Sequence, residues 1–245
     1  MTSAAVAGSG LVGAEAADSG FSLPPGRALS ICLELRQAIL EHRLSPGMKL
    51  SEDEVGEIFG ASRTVVRAAL HALAHSGLVT IERNRGAFVS RPTLREAHEV
   101  FEARALIEPR VARMAALAVT GAQLENLKAH IEAEHVALAA GEMGKSLSLS
   151  GLFHIAVSDI ADQQVLGAII RQLISRSSLI IALYWKRPDT ACESHSHHAL
   201  LEAMAAHDGQ AAEEIMKSHI VDLHSGLDLK ERPEREQTLA EVFAG

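Results

Sequence analysis

The chain has 245 residues, a formal net charge of −8, 47% hydrophobic residues and only 3% aromatics. Two cysteines, Cys32 and Cys192, without metal-ligand spacing exclude a disulfide framework and fit a reducing cytoplasm. No uninterrupted run of about 18 apolar residues is evident, so no membrane span is expected.

Residues 1–25 are rich in Ala, Gly and Ser, with Glu15 and Asp18 breaking any apolar run. They lack a basic segment followed by an apolar one, so they are not a secretory signal and read as a disordered leader. Arg27 to Arg43 follows as a helix with Leu29, Cys32, Leu33, Ile39 and Leu40 facing inward. Ser51-Glu52-Asp53-Glu54 has the pattern of a capping box, in which Ser accepts from a free N–H and Glu54 reaches back. The helix it opens carries Val55, Ile58 and Phe59 and stops at Gly60, which tolerates the left-handed turn at a helix end. Ser62 caps the next helix. On a wheel of about 100° per residue, Val65, Val66, Ala69, Leu70 and Leu73 fill one arc of it. Arg63, Thr64, Arg67, His71 and His75 fill the other. After Gly77 the period changes to two: Val79 and Ile81 alternate with Thr80 and Glu82, Arg83-Asn84-Arg85-Gly86 turns, and Ala87-Phe88-Val89 returns as a hairpin.

Two short helices joined by a Gly-containing turn, the second with an oily back and a basic front, form a helix-turn-helix, and the basic-tipped hairpin is its wing. Arg63 and Arg67 alone could be a solvated face. The full order of elements favours guanidinium groups presented to a duplex. Residues 27–92 hold nine Lys and Arg against seven Asp and Glu, within an acidic whole. That balance suits a compact DNA contact and argues against broad coating of polyanions. Leu44-Ser45-Pro46-Gly47-Met48-Lys49-Leu50-Ser51-Glu52, Ser62-Arg63-Thr64-Val65-Val66-Arg67, Gly77-Leu78-Val79 and Arg85-Gly86-Ala87-Phe88-Val89 together resemble the winged-helix domain of GntR-family transcriptional regulators. The resemblance implies DNA contacts at Arg63, Thr64, Arg67, Arg85 and Gly86. Asp53 stands where some members carry an Arg, so that contact is not carried over.

Arg91-Pro92-Thr93 reads as a linker. Beyond it come helices at about 94–119, 121–140, 146–161, 163–185, 194–207 and 209–228, with no strand among them and few aromatics, as in a helical bundle. The expected organisation is a leader at 1–25, a winged helix-turn-helix at 26–92, an all-helical domain at 93–229 and a charged tail at 230–245. Arg104 sits at the middle of the apolar stripe Val100, Ile107, Val111 and Met114. A guanidinium stays charged, so burial demands either a carboxylate such as Glu108 or Glu102 or an anionic ligand. His154, His197 and His219 likewise lie on or beside inward faces of three helices, which favours a metal over three separate core histidines. His135 shares a stripe with Leu127 and Ile131, as an extra ligand or as core. Of the run His195-Ser196-His197-His198 only His197 is expected inside, since neighbours on a helix face different ways. Ser177 and Tyr184 fall on the inward stripe with Leu173 and Ile180.

Glu102 to Glu108, Phe153-His154, and His197 through Met204 to His219-Ile220 resemble the effector domain of the FadR-type subgroup. That resemblance implies a divalent ion (Zn, Ni or Mn) held by an Asp, a His four residues later and two further His. His154, His197 and His219 would be the imidazoles, and Ser150 stands at the Asp position. With it goes a small carboxylate or other anion binding near Arg104 and Ser150, which the inward Ser177 and Tyr184 could touch, a homodimer, and an inverted-repeat operator in double-stranded DNA. The reading is a ligand-responsive regulator, a repressor rather than an enzyme. The alternatives are a hydrolase-like three-His centre, for which Glu202 is the only nearby carboxylate and points away from His197, and a metal sensor with no organic effector.

Overall fold

The structure, a computed structural model, describes residues 26–185 and 191–228. The expected leader and charged tail lie outside the described residues. The winged module comprises α1 (Arg27–Leu40), β1 (Lys49–Leu50), α2 (Glu52–Phe59), α3 (Arg63–His75), β2 (Val79–Glu82) and β3 (Gly86–Val89). The helical part is α4 (Leu94–Ala118), α5 (Gly121–Ala139), α6 (Met143–Ile160), α7 (Gln164–Tyr184), α8 (Ala191–Ala205) and α9 (Gly209–Ser225).

Gly60 ends α2 with φ 57° and ψ 45°, a left-handed cap. One further residue, Ala61, leads to Ser62 at the N-cap of α3. Neither Ser51 nor Ser62 caps with its side chain. The capping box expected of Ser51 and Glu54 therefore does not form, and the two acids between them, Glu52 and Asp53, pair with arginines of α3. Boxes do close at Thr93 with Glu96 and at Thr120 with Gln123, starting α4 and α5. The wing is a three-stranded sheet in the order β1-β3-β2, since Lys49–Leu50 pairs with Phe88 and Ala87. Helix α1 also sits differently from expectation. Ile31 and Leu35 are fully buried while Leu29 and Leu33 are only half-buried, because α1 lies between the winged core and the helical domain.

Among the described residues α7 is long and apolar enough to cross a membrane by length and composition, contrary to the expectation that no such segment exists. Its second half packs against both parts of the chain. Arg171 pairs with Asp159 at 2.5 Å, Ser177 accepts from Arg104, and Leu179 is fully buried. Leu179 completes the core of the winged module, among Ile31, Leu35, Leu40 and Leu73. The adjacent Ser178 donates to the Leu40 carbonyl at 3.4 Å and meets His42 Nε2 at 3.3 Å. Further along, the Tyr184 hydroxyl donates to the Pro92 carbonyl at 3.0 Å. Gly144, in the first turn of α6, lies against the Glu41 carbonyl so closely that a Cβ there would collide with it.

One helix thus belongs to two cores. Leu179→Ala should destabilise the protein by about 2–5 kcal/mol, the usual cost of a buried Leu truncation. Urea unfolding followed by circular dichroism measures it; a loss under 1 kcal/mol would mean the winged core closes without α7.

Candidate functional site

Two sites emerge, one on each part of the chain. Arg63, Thr64 and Arg67 lie exposed along the front of α3, whose back buries Val66, Ala69, Leu70 and Leu73. Both guanidiniums are engaged by the module's own acids. Arg63 donates from Nε and Nη2 to Asp53 at 2.5 and 2.9 Å, and Arg67 donates from Nε and Nη2 to Glu52, each at 2.8 Å. The arginine side chains remain 71% and 60% exposed, so the pairs hold them without covering them. At the wing tip Asn84 and Gly86 adopt positive φ, and Arg85 pairs with Glu82 while its guanidinium lies over the Phe88 ring.

The second site is inside the helical domain. Arg104 is 2% exposed and donates from Nε to Glu108 Oε1 at 2.5 Å and from Nη1 to the Ser177 hydroxyl at 3.1 Å. Glu108 reaches on to His154, with Oε2 2.6 Å from Nδ1. Burial alone would raise the Glu108 pKa. The charges of Arg104 and His154 and the hydrogen bonds from both outweigh it, and the carboxyl is held down to about 2. Burial pushes His154 the other way, down to about 4 despite Glu108, and burial with the neighbouring imidazoles and Arg104 drives His219 well below the usual histidine range. Both rings are therefore neutral at neutral pH.

The three imidazoles predicted from sequence do come together. One ligand nitrogen from each of His154, His197 and His219 lies within 4.8 Å of the others, and all three residues are buried. His154 Nε2 and His219 Nε2 are 3.3 Å apart. Two imidazoles on one tetrahedral zinc, each about 2.05 Å from it, stand about 3.3 Å apart as well. Glu134 on α5 takes the Nδ1 side of His197 at 3.0 Å, leaving His197 Nε2 buried without a hydrogen-bond partner. A carboxylate behind an imidazole places the proton on Nδ1 and turns the Nε2 lone pair toward an ion. This holds for both His154 and His197, and an orphaned buried nitrogen aimed at two others is what an ion would satisfy. The donor set fits a divalent metal with an open fourth position.

Other expected residues fall elsewhere. Ser150 is buried and lines the cavity that reaches Arg104, alongside Ser177. Tyr184 is not on that lining; its hydroxyl is committed to the linker at Pro92. His135 stacks on the exposed His198, with centroids 5.1 Å apart, away from the buried trio. The buried stripe of α5 runs Leu127, His130, Ile131, Glu134 and Ala137 rather than through His135. Glu134 was missed, although its spacing of three and seven residues from Ile131 and Leu127 was there to be read. Glu108 was visible only as one candidate partner for Arg104.

Two protein families match the chain. Residues 27–89 match the family described as "Bacterial regulatory proteins, gntR family", and residues 99–222 match the FCD domain. The HTH-type transcriptional repressor RspR of Escherichia coli is 29% identical over 192 residues, covering 77% of this chain and 83% of RspR. The transcriptional regulator LutR of Bacillus subtilis is 28% identical over 206 residues, covering 75% of this chain and 93% of its own. Among solved structures, a GntR transcriptional regulator from Rhodococcus sp. RHA1 superposes with a TM-score of 0.71 at 22% identity, covering 81% of this chain and 96% of that one. E. coli McbR/YncC gives the same score and identity over 82% and 99%. These structures share the fold.

Glu108→Gln should cost about 3–5 kcal/mol at pH 7, because it strands a buried guanidinium. The stabilisation comes from a carboxyl whose ordinary pKa of 4.5 falls to about 2 on folding. It is therefore fully present above about pH 4.5 and fades as the pH falls toward 2. Urea unfolding of both proteins in chelator, from pH 7 to pH 3, should show their stabilities converging in acid; a constant gap would contradict the ionised Glu108.

Proposed function

Because the chain belongs to the gntR family of bacterial regulatory proteins, with an FCD domain as its second half, we propose a specific mode of action for it. It is a DNA-binding transcriptional regulator. In our reading it acts in the cytoplasm as a homodimeric repressor whose two winged modules bind an inverted repeat in double-stranded DNA. A small carboxylate or other anionic metabolite entering the helical domain releases it. The name of RspR, a repressor, supports the sign of regulation.

The front of α3 is the reading surface. Arg63, Thr64 and Arg67 enter the major groove, with Arg85 and Gly86 of the wing against the backbone. Guanine edges and phosphates replace Asp53 and Glu52 as partners of the two arginines, an exchange open to them because the side chains are exposed and already extended. The observation that carries the effector reading is the buried run Ser177–Arg104–Glu108–His154 beside two further imidazoles. An anion arriving there meets Arg104 at the one nitrogen, Nη1, that is bonded only to a neutral hydroxyl. A Zn, Ni or Mn ion, held by His154, His197 and His219, would supply a Lewis-acidic positive charge for a ligand oxygen at the fourth position. Ser150 supplies a neutral hydroxyl nearby rather than the anionic ligand an Asp would be. The hydrolase alternative loses ground on geometry: Glu108 and Glu134 stand behind the imidazoles, hydrogen-bonded to Nδ1, and neither is placed as a general base beside the open position.

Arg67→Ala should weaken operator binding by about 1–3 kcal/mol at fixed salt while the dimer stays folded; unchanged affinity in a gel-shift titration would remove Arg67 from the interface. Neutralising the competing acids, Asp53→Asn with Glu52→Gln, should tighten binding to non-operator DNA and steepen its salt dependence. Protein purified without chelator should hold one divalent ion per chain by elemental analysis, and His197→Ala should lose it. A sub-stoichiometric wild type would refute the metal, and DNA affinity that shifts with metal alone would favour the sensor reading.

A further inference from the structure

The cavity that reaches Arg104 is not confined to the helical domain. Its walls include Arg36 and Leu40 from α1 of the winged module, opposite Ser150 of α6 and Ser175, Ser177 and Ser178 of α7. Two guanidinium side chains, one from each module, therefore line a single space. Three of the hydroxyls that line it, all on α7, have spent their protons. Ser175 donates to the Arg171 carbonyl at 3.0 Å, Ser177 to the Ile174 carbonyl at 3.0 Å, and Ser178 to the Leu40 carbonyl. What such serines offer a ligand is lone pairs. Those suit hydroxyl donors and repel carboxylate oxygens.

The open volume is about 30 Å³, room for a water or two. Any organic anion must push the walls apart, and one wall is α1. The contacts sealing that wall beside the cavity are long ones, Ser178 to Leu40 at 3.4 Å and His42 to Ser178 at 3.3 Å. The helix that presents Arg63 and Arg67 packs on this same α1, and Leu179 of α7 is buried in the core they share.

We propose that this cavity between the modules takes a hydroxylated dicarboxylate, one carboxylate on Arg104 and the other on Arg36, and that the ligand acts as a wedge displacing α1 from the helical domain. The proposal rests on the reading of Arg104 as an anion site and adds the ligand's class, its second contact and its route to the DNA.

The test uses the full chain and three probes by calorimetry: tartrate, a dianion with hydroxyls; succinate, a dianion without them; and glycerate, a hydroxylated monoanion. Tartrate should bind at least about tenfold tighter than either of the others, the value of one charge-assisted hydrogen bond. Arg36→Gln should erase the preference over glycerate without changing glycerate affinity. Ser175→Ala with Ser177→Ala should erase the preference over succinate. Spin labels at Gln37→Cys on α1 and Val165→Cys on α7, in a protein with Cys32 and Cys192 replaced by Ser, should move apart when tartrate binds. Failure of all three probes at millimolar concentration overturns the ligand class. A preference that survives Arg36→Gln, or an unchanged label distance, overturns the bridging wedge while leaving Arg104 as the anion site. Full tartrate affinity in Arg104→Gln would overturn the underlying reading itself.

Discussion

A guanidinium with no access to water organises the interior of the helical domain. Arg104 cannot shed its charge, and an unpaired ion at that depth would cost several kcal/mol. Glu108, one helical turn on, meets it and is itself too deeply buried to stand alone with a second lone pair unfilled. His154 fills that lone pair, and in doing so fixes which of its nitrogens carries the proton. The consequence reaches the centre of the bundle: the opposite nitrogen is left as a lone pair 3.3 Å from His219. Glu134 imposes the same order on His197 from another helix. The metal-ready geometry is thus a by-product of neutralising buried charge, with each carboxylate serving an imidazole from behind.

The same guanidinium ties this interior to the winged module through three consecutive residues. Ser177 accepts from Arg104, Ser178 faces Leu40 and His42, and Leu179 is buried among the winged core. Successive residues on a helix point about 100° apart, so a single turn of α7 presents one side to the effector site and another to the DNA-binding half. In the proposed mode of action, a ligand that replaces Ser177 as the partner of Arg104 would act on that turn. Coupling of this kind needs the ligand to prefer one arrangement of the two modules. A cavity whose walls come from both of them supplies the means, because its width and their separation are one variable.

Much of the winged module was legible because its signals are local. Gly60, Ser62, the oily back of α3 and the period change after Gly77 each fix a short stretch without help from elsewhere. What was missed there depends on partners distant in sequence. Lys49–Leu50 becomes a strand only because Phe88 and Ala87 lie beside it. Glu52 and Asp53, which read as first-turn acids of a capped helix, meet Arg67 and Arg63 from the next helix. In the helical domain the three histidines were readable as polar residues on apolar faces, and Arg104 likewise. Of their carboxylate partners Glu108 was named only as one candidate for Arg104 and Glu134 not at all, since a Glu on a helix reads as surface until the packing is known: Glu134 differs from the exposed Glu132 only in the direction it faces. Tyr184 and the stripe of α1 went astray for one reason. Both lie where the two modules touch, and a helix wedged between two cores has no single inward face for a wheel to reveal.

The pairing of Arg63 with Asp53 and of Arg67 with Glu52 bears on how an acidic protein can select a sequence. Ion pairs this exposed contribute little to stability, too little to withhold the arginines from a well-placed acceptor. They hold the two guanidiniums at the front of α3 and offset their positive charge toward any passing phosphate. Affinity for random DNA comes almost wholly from such phosphate attraction, whereas a guanine edge offers two acceptors in the fork geometry that a carboxylate mimics. An arginine leaving a carboxylate fork for a guanine fork loses little orientation; one leaving it for a single phosphate gives up a bidentate partner. Self-pairing therefore taxes non-specific contacts more heavily than specific ones, and the local acids become part of the recognition device rather than an obstacle to it.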